Sequence, residues 1–207
     1  MKTRINFIQN DWANVKNKCR TTVNKKYTET EPSKDFKLRL LIAEHSPIRL
    51  LNVDWSWNCI KYWVSTEWSR HKFEKYISTQ RTDRVGVDRD QKPQASLVNF
   101  DGYANAQNLI DAWRKRLCRE ATKEARELAE DFKCEVYNNE SEMADVLVPN
   151  CIYRCGCPEM NQKCKFFDNF LKSFEYAKKL DKSLDIFNIQ DRYKVYNEQF
   201  YSKHKGE

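Results

Sequence analysis

The clearest pattern of apolar and polar positions lies between residues 104 and 132. Apolar side chains recur there at helical spacing in two stripes, which predicts two successive helices. The first stripe consists of Ala106, Leu109, Ile110, Trp113 and Leu117, and the second of Ala121, Ala125, Leu128, Ala129 and Phe132. Asn105 and Arg116 stand eleven positions apart on the first helix, so about 100° per residue returns them to within roughly 20° of one face. Polar side chains at the two ends of that face can therefore reach a ligand.

Shorter patterns predict most of the remaining elements. Residues 36–43 alternate between apolar and basic side chains, which predicts a strand, and residues 52–57 predict a second strand. Residues 60–71 predict a helix with an aromatic stripe that faces the core. The polar stretch 83–102 contains two of the four glycines and predicts a loop. Long loops in compact domains often carry functional residues.

The composition is that of a globular protein. Hydrophobic residues make up 40% and aromatic residues 13% of the 207 positions, which excludes disorder throughout. No apolar run approaches the roughly 18 residues of a membrane span, and the start of the chain lacks the apolar region of a signal peptide. We therefore expect a cytoplasmic protein, of a bacterium or a phage-infected host, without a membrane partner. The net charge of +7 suits a nucleic acid or a highly anionic small ligand.

A dense basic segment follows the predicted helix. Arg70, His71 and Lys72 stand together, and Thr79 and Arg81 follow them closely. Arginine binds phosphate through a planar fork, lysine acts as a point charge, and small hydroxyls add orienting hydrogen bonds. Clustered charge is more often a solvated helix end, so the triplet by itself leaves both interpretations open.

Three stretches, in one order, resemble the flavin-dependent thymidylate synthases, the ThyX family. Residues 70–72 and 79–81 resemble the two ends of the family signature, written Arg-His-Arg, two residues, Ser, one, Asn, two, Ser, one, Arg. Residues 44–49 (EHSPIR) resemble the family's His-Ser-Pro element, and residues 105–126 resemble its Asn-Ala-Arg helix with the continuation. The resemblance covers about residues 36–132. It implies an α+β, ThyX-like fold with a mixed sheet packed with long helices.

The resemblance also implies an activity and a site. ThyX enzymes methylate dUMP to dTMP with methylene tetrahydrofolate as carbon donor, reduced FAD as hydride source and NADPH to regenerate it. The implied cofactor contacts are Ser46, Arg70, His71, Lys72, Asn105, Gln107 and Asp111. The implied substrate contacts are Glu67, Thr79, Arg81 and Arg116. Arg116 would be catalytic, because a cation beside the pyrimidine ring favours its ionised form. A homotetramer with sites between subunits is implied as well.

Three positions depart from the family pattern and indicate a divergent, phage-like subtype. Gln107 replaces an arginine, Asp111 replaces an asparagine, and Glu67 stands where a glutamine near the nucleotide is common. A carboxylate beside a phosphate or a uracil carbonyl is unfavourable unless it is paired or protonated. Either the pocket is rearranged around dUMP, or the substrate is another pyrimidine nucleotide such as dCMP, whose exocyclic amine could donate to Glu67.

The cysteines suggest another possibility. Four of the eight stand close together at positions 151, 155, 157 and 164. They could bind zinc tetrahedrally as a structural clip, whereas the alternative is a set of free, partly buried thiols in a reducing compartment. A Cys-rich, basic nucleic-acid-binding protein is thus the alternative to the flavoenzyme, although we do not expect nucleic acid to be the partner.

We divide the chain into three segments. Residues 1–35 show no sustained period and predict a poorly determined N-terminal arm, and residues 36–150 form the predicted ThyX-like catalytic domain. Residues 151–207 comprise the Cys-rich segment and a C-terminal helical tail. The phenylalanines from residue 166 onward predict a helix that packs on another element, such as a second subunit.

Overall fold

A four-stranded sheet forms the centre of the computed structural model, which describes residues 2–161 and 163–204. Its strands are β1 (Thr3–Gln9), β2 (Asn52–Lys61), β3 (Glu74–Ile77) and β4 (Leu97–Asn105). They lie in the order β1-β2-β4-β3, and each neighbouring pair is antiparallel. The predicted α+β class is confirmed, but the sheet is not mixed as predicted, because every neighbouring pair among the described strands is antiparallel.

Helices cover one face of this sheet and extend beyond it. They are α1 (Trp12–Thr22), α2 (Lys34–Ile42), α3 (Tyr62–Trp68), α4 (Thr82–Val85), α5 (Ala106–Arg116), α6 (Lys123–Asn139), α7 (Ser141–Asp145), α8 (Asn150–Arg154), α9 (Phe166–Leu180) and α10 (Ile189–His204). Short 3₁₀ helices span Ser46–Leu50 and Arg89–Gln91. Helices α3, α5 and α6 pack against the strands. None of the described helices is long and apolar enough to cross a membrane.

The core lies between the sheet and these helices. Alternate side chains of the central strands point into it, as Val53, Trp55 and Trp57 do from β2. The fully buried Trp55 ring packs against four other aromatic rings, those of Trp57, Phe73, Trp113 and Phe132. Gly102 of β4 pairs with Trp55 and leaves room for its indole, because a Cβ there would lie 2.2 Å from Trp55 Cζ2.

Two strand and loop predictions need correction. Residues 36–43 belong to α2 and not to a strand, because Ser33 caps the helix by accepting from Phe36 N–H at 3.2 Å and Leu41 is fully buried on one helical face. A short apolar run does not separate strand from helix. The predicted loop 83–102 ends at Leu97, where β4 begins.

Other predictions hold. The strand at 52–57 lies within β2, the helix at 60–71 contains α3, and the stripes of 104–132 form α5 and α6 with a break between them. The helix from residue 166 is α9, which packs against α10 of its own chain.

The N-terminal segment, for which the sequence showed no period, contains β1 and α1. Trp12 and Val15 of α1 lie in the same buried cluster as Phe200 near the other end of the chain. The division at residues 36 and 150 stays a prediction.

Candidate functional site

Three segments of the chain meet at one end of the sheet. β4 ends at Asn105, where α5 begins, and Asn105 pairs with Asn52 at the start of β2. β3 starts at the same end, since Glu74 pairs with a residue two positions before the end of β4. The 3₁₀ helix Ser46–Leu50 leads into β2, and residues 70–72 lead into β3. Three of the stretches that carry the family resemblance, residues 44–49, residues 70–72 and the start of α5, therefore converge on this end, which we call the β4 exit.

A cleft of about 490 Å³ opens at the β4 exit. Its lining residues are Asn52, Lys72, Phe73, Glu74, Lys75, Tyr103, Ala104, Asn105 and Asn108. Asn105 caps α5 by accepting from the Asn108 N–H at 3.0 Å, so its side-chain amide hydrogens can donate to another group. Lys75 fixes the turn before β3, because its Nζ donates to two backbone carbonyl oxygens within residues 71–73. The lining thus combines amide donors with the ammonium groups of Lys72 and Lys75 and the carboxylate of Glu74.

α5 ends in an arginine that hydrogen-bonds through each of its side-chain nitrogens. Arg116 donates from Nε to Nε2 of His71 at 2.8 Å. It also donates from Nη1 to Oε2 of Glu67 at 3.1 Å and from Nη2 to the Glu67 carbonyl oxygen at 2.6 Å. Thr122 donates from Oγ1 to the same carboxylate oxygen at 3.0 Å. Glu67, His71, Arg116 and Thr122 therefore form one unit, the Arg116 cluster.

The electrostatics of the Arg116 cluster keep His71 neutral at physiological pH. Burial, assisted by the positive charges of Arg116 and Lys75, lowers the pKa of His71 from 6.5 to about 4. Because Nε2 accepts from Arg116, the ring proton lies on Nδ1, which is then a donor. Burial lowers the pKa of Arg116, while the charge of Glu67 acts in the opposite direction. The cluster thus combines a neutral imidazole with a guanidinium paired to a carboxylate.

A different group of residues surrounds Gln107 and Asp111. Glu44 accepts hydrogen bonds from Gln107 and from Arg114, and Gln107 also donates to Asp111 at 3.3 Å. The Arg114 guanidinium lies 3.5 Å above the Tyr153 ring of α8. Gln107 therefore contacts both Glu44 and Asp111, and among the described residues no hydrogen bond joins Gln107 or Asp111 to the Arg116 cluster. Their contact with a cofactor stays a prediction.

The remaining predicted residues are exposed. Ser46 and Arg70 lie in the segments that enter the β4 exit. Thr79 and Arg81 follow the far end of β3, and the Arg81 guanidinium forms a two-point ion pair with Asp83 at 2.8 and 3.0 Å. Within one chain, the structure therefore does not bring Thr79 or Arg81 to the Arg116 cluster.

Comparison of the whole chain with known proteins identifies its fold. No protein-family model matches the sequence, and no curated protein matches it. A structure of ThyX from Helicobacter pylori complexed with FAD and dUMP is 12% identical, and the match covers 69% of this chain and 97% of that one at a TM-score of 0.59. A second structure of that enzyme with FAD and dUMP is 13% identical, with 71% and 99% covered and a TM-score of 0.61. The chain has the ThyX fold.

A related fold neighbour is the UMP/dUMP methylase PolB from Streptomyces cacaoi, bound with 5-Br dUMP. It is 11% identical, and the match covers 70% of this chain and 93% of PolB at a TM-score of 0.57. Identities this low establish the ThyX fold alone. They confirm the resemblance as one of fold.

Within this ThyX fold, the cysteines group differently from the sequence prediction. The Cys155 thiol donates to the Ile186 carbonyl oxygen, with its Sγ 3.6 Å away. Burial, together with the nearby charges of Cys118, Cys157 and Cys164, raises the pKa of the Cys151 thiol to about 12. In residues 2–161 and 163–204, no three His, Cys, Asp or Glu side chains are already arranged to hold a metal ion. Cys118, which the sequence did not indicate, thus acts on the Cys151 thiol from the end of α5.

Three other residues of the site were also missed. Thr122 contacts Glu67 across 55 positions of sequence, and Glu44 contacts Arg114 across 70. Lys75 fixes the turn before β3. Glu44 directly precedes the His-Ser-Pro element, and this position in the sequence could have indicated it as a site residue. The backbone of Glu44 is left-handed, with φ of 52°, which is uncommon for a non-glycine residue and marks a constrained position.

Proposed function

We propose that this protein is a flavin-dependent enzyme that methylates dUMP to dTMP, with methylene tetrahydrofolate as the carbon donor. The observation that carries the proposal is the convergence of residues 70–72 and the helix that begins at Asn105 on the β4 exit of a ThyX fold. Both stretches resemble the ThyX family in sequence, independently of the fold. Their meeting beside a polar cleft is what a shared ligand site requires.

The residues at the β4 exit fit an anionic, hydrogen-bonding cofactor such as FAD. Lys72 lines the cleft and Arg70 is exposed next to it in the chain, so both could bind phosphate. Asn105 offers amide hydrogens because its oxygen is already used to cap α5. His71 offers its Nδ1–H as a neutral donor. When bound, FAD would supply the hydride, and NADPH would be the expected source of its reducing equivalents.

The Arg116 cluster is the proposed base-binding part of the site. Arg116 is held by Glu67 and His71 before any substrate arrives, so its position costs no reorganisation as negative charge develops on the pyrimidine. The Glu67 carboxylate offsets part of the positive charge of Arg116, and Thr122 donates a second hydrogen bond to the same Oε2 atom. The carboxylate is thus already paired, which removes the main objection to Glu67 beside a uracil ring.

Thr79 and Arg81 are proposed to bind the nucleotide phosphate in the site of a neighbouring subunit. They follow the far end of β3, and four strand residues at about 3.4 Å each separate that end from the β4 exit. Arg81 lies in an exposed segment and is paired only with the nearby Asp83 among the described residues. A phosphate could replace that carboxylate with the same two-point geometry. A homotetramer would provide the neighbouring chain.

Flavin binding and turnover test the proposal together. Purified protein should show flavin absorbance, and product analysis with methylene tetrahydrofolate, NADPH and dUMP should show dTMP. Replacing both Arg70→Ala and His71→Ala should reduce bound flavin, whereas Arg84→Ala, an exposed arginine of α4, should not. Parallel assays with UMP and dCMP determine which pyrimidine is used. A colourless protein that instead shifts RNA or DNA in a gel would replace this proposal with nucleic-acid binding.

Subunit sharing has its own experiment. Arg81→Ala and Arg116→Ala proteins, each of low activity at limiting dUMP, are denatured, mixed and refolded together. If the two arginines of one site come from different chains, some mixed sites carry both wild-type residues and activity rises above the mean of the parents. Refolding each variant alone is the control. If mixed oligomers are shown to form and activity does not rise, both arginines of a site belong to the same chain.

A further inference from the structure

The chain folds back along α1 directly after that helix ends. It reverses at Asn24, whose backbone is left-handed with φ of 53°. The Asn17 side chain then holds the returning segment at two points, because its Nδ2 donates to the Thr28 carbonyl oxygen and its Oδ1 accepts from the Thr28 N–H, each at 3.0 Å. Residues 16–28 therefore form a defined surface, which we call the α1 hairpin.

Every charged side chain of the α1 hairpin is positive. The five cations are Lys16, Lys18, Arg20, Lys25 and Lys26, and residues 16–28 contain no Asp or Glu. The hairpin thus carries +5 of the net charge of +7. Lys16 donates to the Thr30 carbonyl oxygen and Arg20 to the Lys26 carbonyl oxygen, which are neutral acceptors. Among the described residues, none of the five cations forms an ion pair.

The carboxylates that flank the α1 hairpin have other positions or partners. Asp11 caps α1 by accepting from the Asn14 N–H at 2.9 Å. Glu31 pairs with Lys37 at 2.7 Å, and Glu29 is exposed just beyond the hairpin. The positive charge is therefore concentrated on one surface, and such a surface attracts polyanions.

An exposed aromatic ring stands beside these charges. Tyr27 is 64% exposed and follows Lys25 and Lys26 directly. Thr21 donates from Oγ1 to the Tyr27 Oη at 3.4 Å, which joins the phenol to the end of α1. The bases of a single strand stack on such rings, and cations beside the ring contact the phosphates. Trp12, the largest apolar side chain of α1, is buried, so it is not available for insertion into a lipid surface.

We propose that the α1 hairpin binds single-stranded nucleic acid, with its cations on the phosphates and Tyr27 stacked on a base. This departs from the expectation drawn from the sequence, which did not show that these cations share one folded surface. The inference does not depend on the proposed activity. None of the five cations is among the lining residues of the cleft at the β4 exit, and binding of an oligonucleotide is measured without turnover.

Fluorescence anisotropy of a short labelled oligothymidylate, measured across a series of salt concentrations, is the first experiment. If all five cations contact phosphates, the logarithm of the affinity should fall against the logarithm of salt with a slope of about −3.5, which is about −0.7 per contact. Replacing the three exposed lysines together should make that slope shallower by about 2. The changes are Lys18→Gln, Lys25→Gln and Lys26→Gln.

α9 offers a matched control with the same change of charge. Its exposed lysines are replaced together, as Lys172→Gln, Lys178→Gln and Lys179→Gln. This variant should keep the wild-type slope to within the loss of general attraction. An absence of binding at low salt, or an equal change of slope in both triple variants, would overturn the assignment to the α1 hairpin.

Tyr27 separates single strands from other polyanions. Tyr27→Ser should weaken binding of the oligothymidylate about tenfold, because a base loses its stacking partner. Tyr27→Phe should restore binding, and binding of a duplex should not change in either variant. Equal effects of Tyr27→Ser on both nucleic acids, or no effect on either, would refute the single-strand assignment. Binding to phosphatidylserine vesicles without binding to the oligonucleotide would overturn it in favour of a membrane surface.

Discussion

Gly102 is predicted to be intolerant of even one added methyl group. Its Cβ in a Gly102→Ala protein would lie 2.2, 2.5 and 2.6 Å from three atoms in the indole of Trp55. Those distances are too short for any carbon–carbon contact, so the indole or the strand must move. Trp55 is fully buried against four aromatic rings and has no free space to enter.

The expected magnitude follows from two opposing effects. Overpacking a close-packed core costs about 1–3 kcal/mol. Replacing glycine by alanine in a strand, where the backbone is not left-handed, returns about 0.5–1 kcal/mol through lower unfolded-state entropy. We therefore expect Gly102→Ala to reduce the free energy of unfolding by about 1–2 kcal/mol. In a Trp55→Phe background the clashing indole atoms are gone, so the same change should be neutral or stabilising.

Urea denaturation followed by far-ultraviolet circular dichroism measures this, since Trp55→Phe alters fluorescence directly. With a slope of about 2 kcal/mol per molar urea, the wild-type background should show a midpoint loss of about 0.5–1 M. Gly156→Ala is the matched control, because its Cβ would meet no atom within 4 Å. An equal loss from Gly102→Ala in both backgrounds would show that Trp55 is not the obstacle, and the packing argument would be wrong.

Other predictions concern the site and one buried lysine. Arg116→Ala should lower kcat by about two orders of magnitude, whereas Arg81→Ala should mainly raise KM. Steady-state kinetics with dUMP and dCMP measure both effects. Full turnover in the Arg116→Ala protein would contradict the mechanism. Because the folded-state pKa of His71 is lowered from 6.5 to about 4, the free energy of unfolding should fall as the pH drops from 6.5 toward 4, by about 1–2 kcal/mol once solvent screening of the partly exposed ring is included. His71→Gln should flatten that dependence in urea midpoints, and an unchanged slope would exclude His71 as its source. Burial lowers the pKa of Lys133 from 10.5 to about 7, so the folded state binds fewer protons and stability should rise between those pH values. Lys133→Met should lose this rise, and a rise equal to that of the wild type would refute it.

Periodicity made part of the fold predictable. The stripes of α5 and α6 repeat over enough turns to exclude a strand, and β2 was expected from its sequence alone. The run that forms α2 is too short for periodicity to decide. Its helical state depends on the Ser33 cap and on burial of Leu41 in the common core, and burial is a property of the packed chain.

The residues of the site likewise divide into those that the sequence indicated and those that only the fold brought together. Sequence resemblance alone selected residues 70–72, Asn105 and Arg116, because ligand chemistry restricts which residue types stand at a given spacing. Only the tertiary structure paired Arg116 with Glu67 and His71 across 49 and 45 positions.

The cysteines show the same limit. The sequence selected Cys155 because it lies near the other three thiols along the chain, whereas the fold brings in Cys118 from the end of α5. Local spacing fixes which side chains share a helical or strand face, since neighbouring residues share one backbone geometry. Contacts between distant positions depend on the path of the whole chain, which only packing of the common core determines.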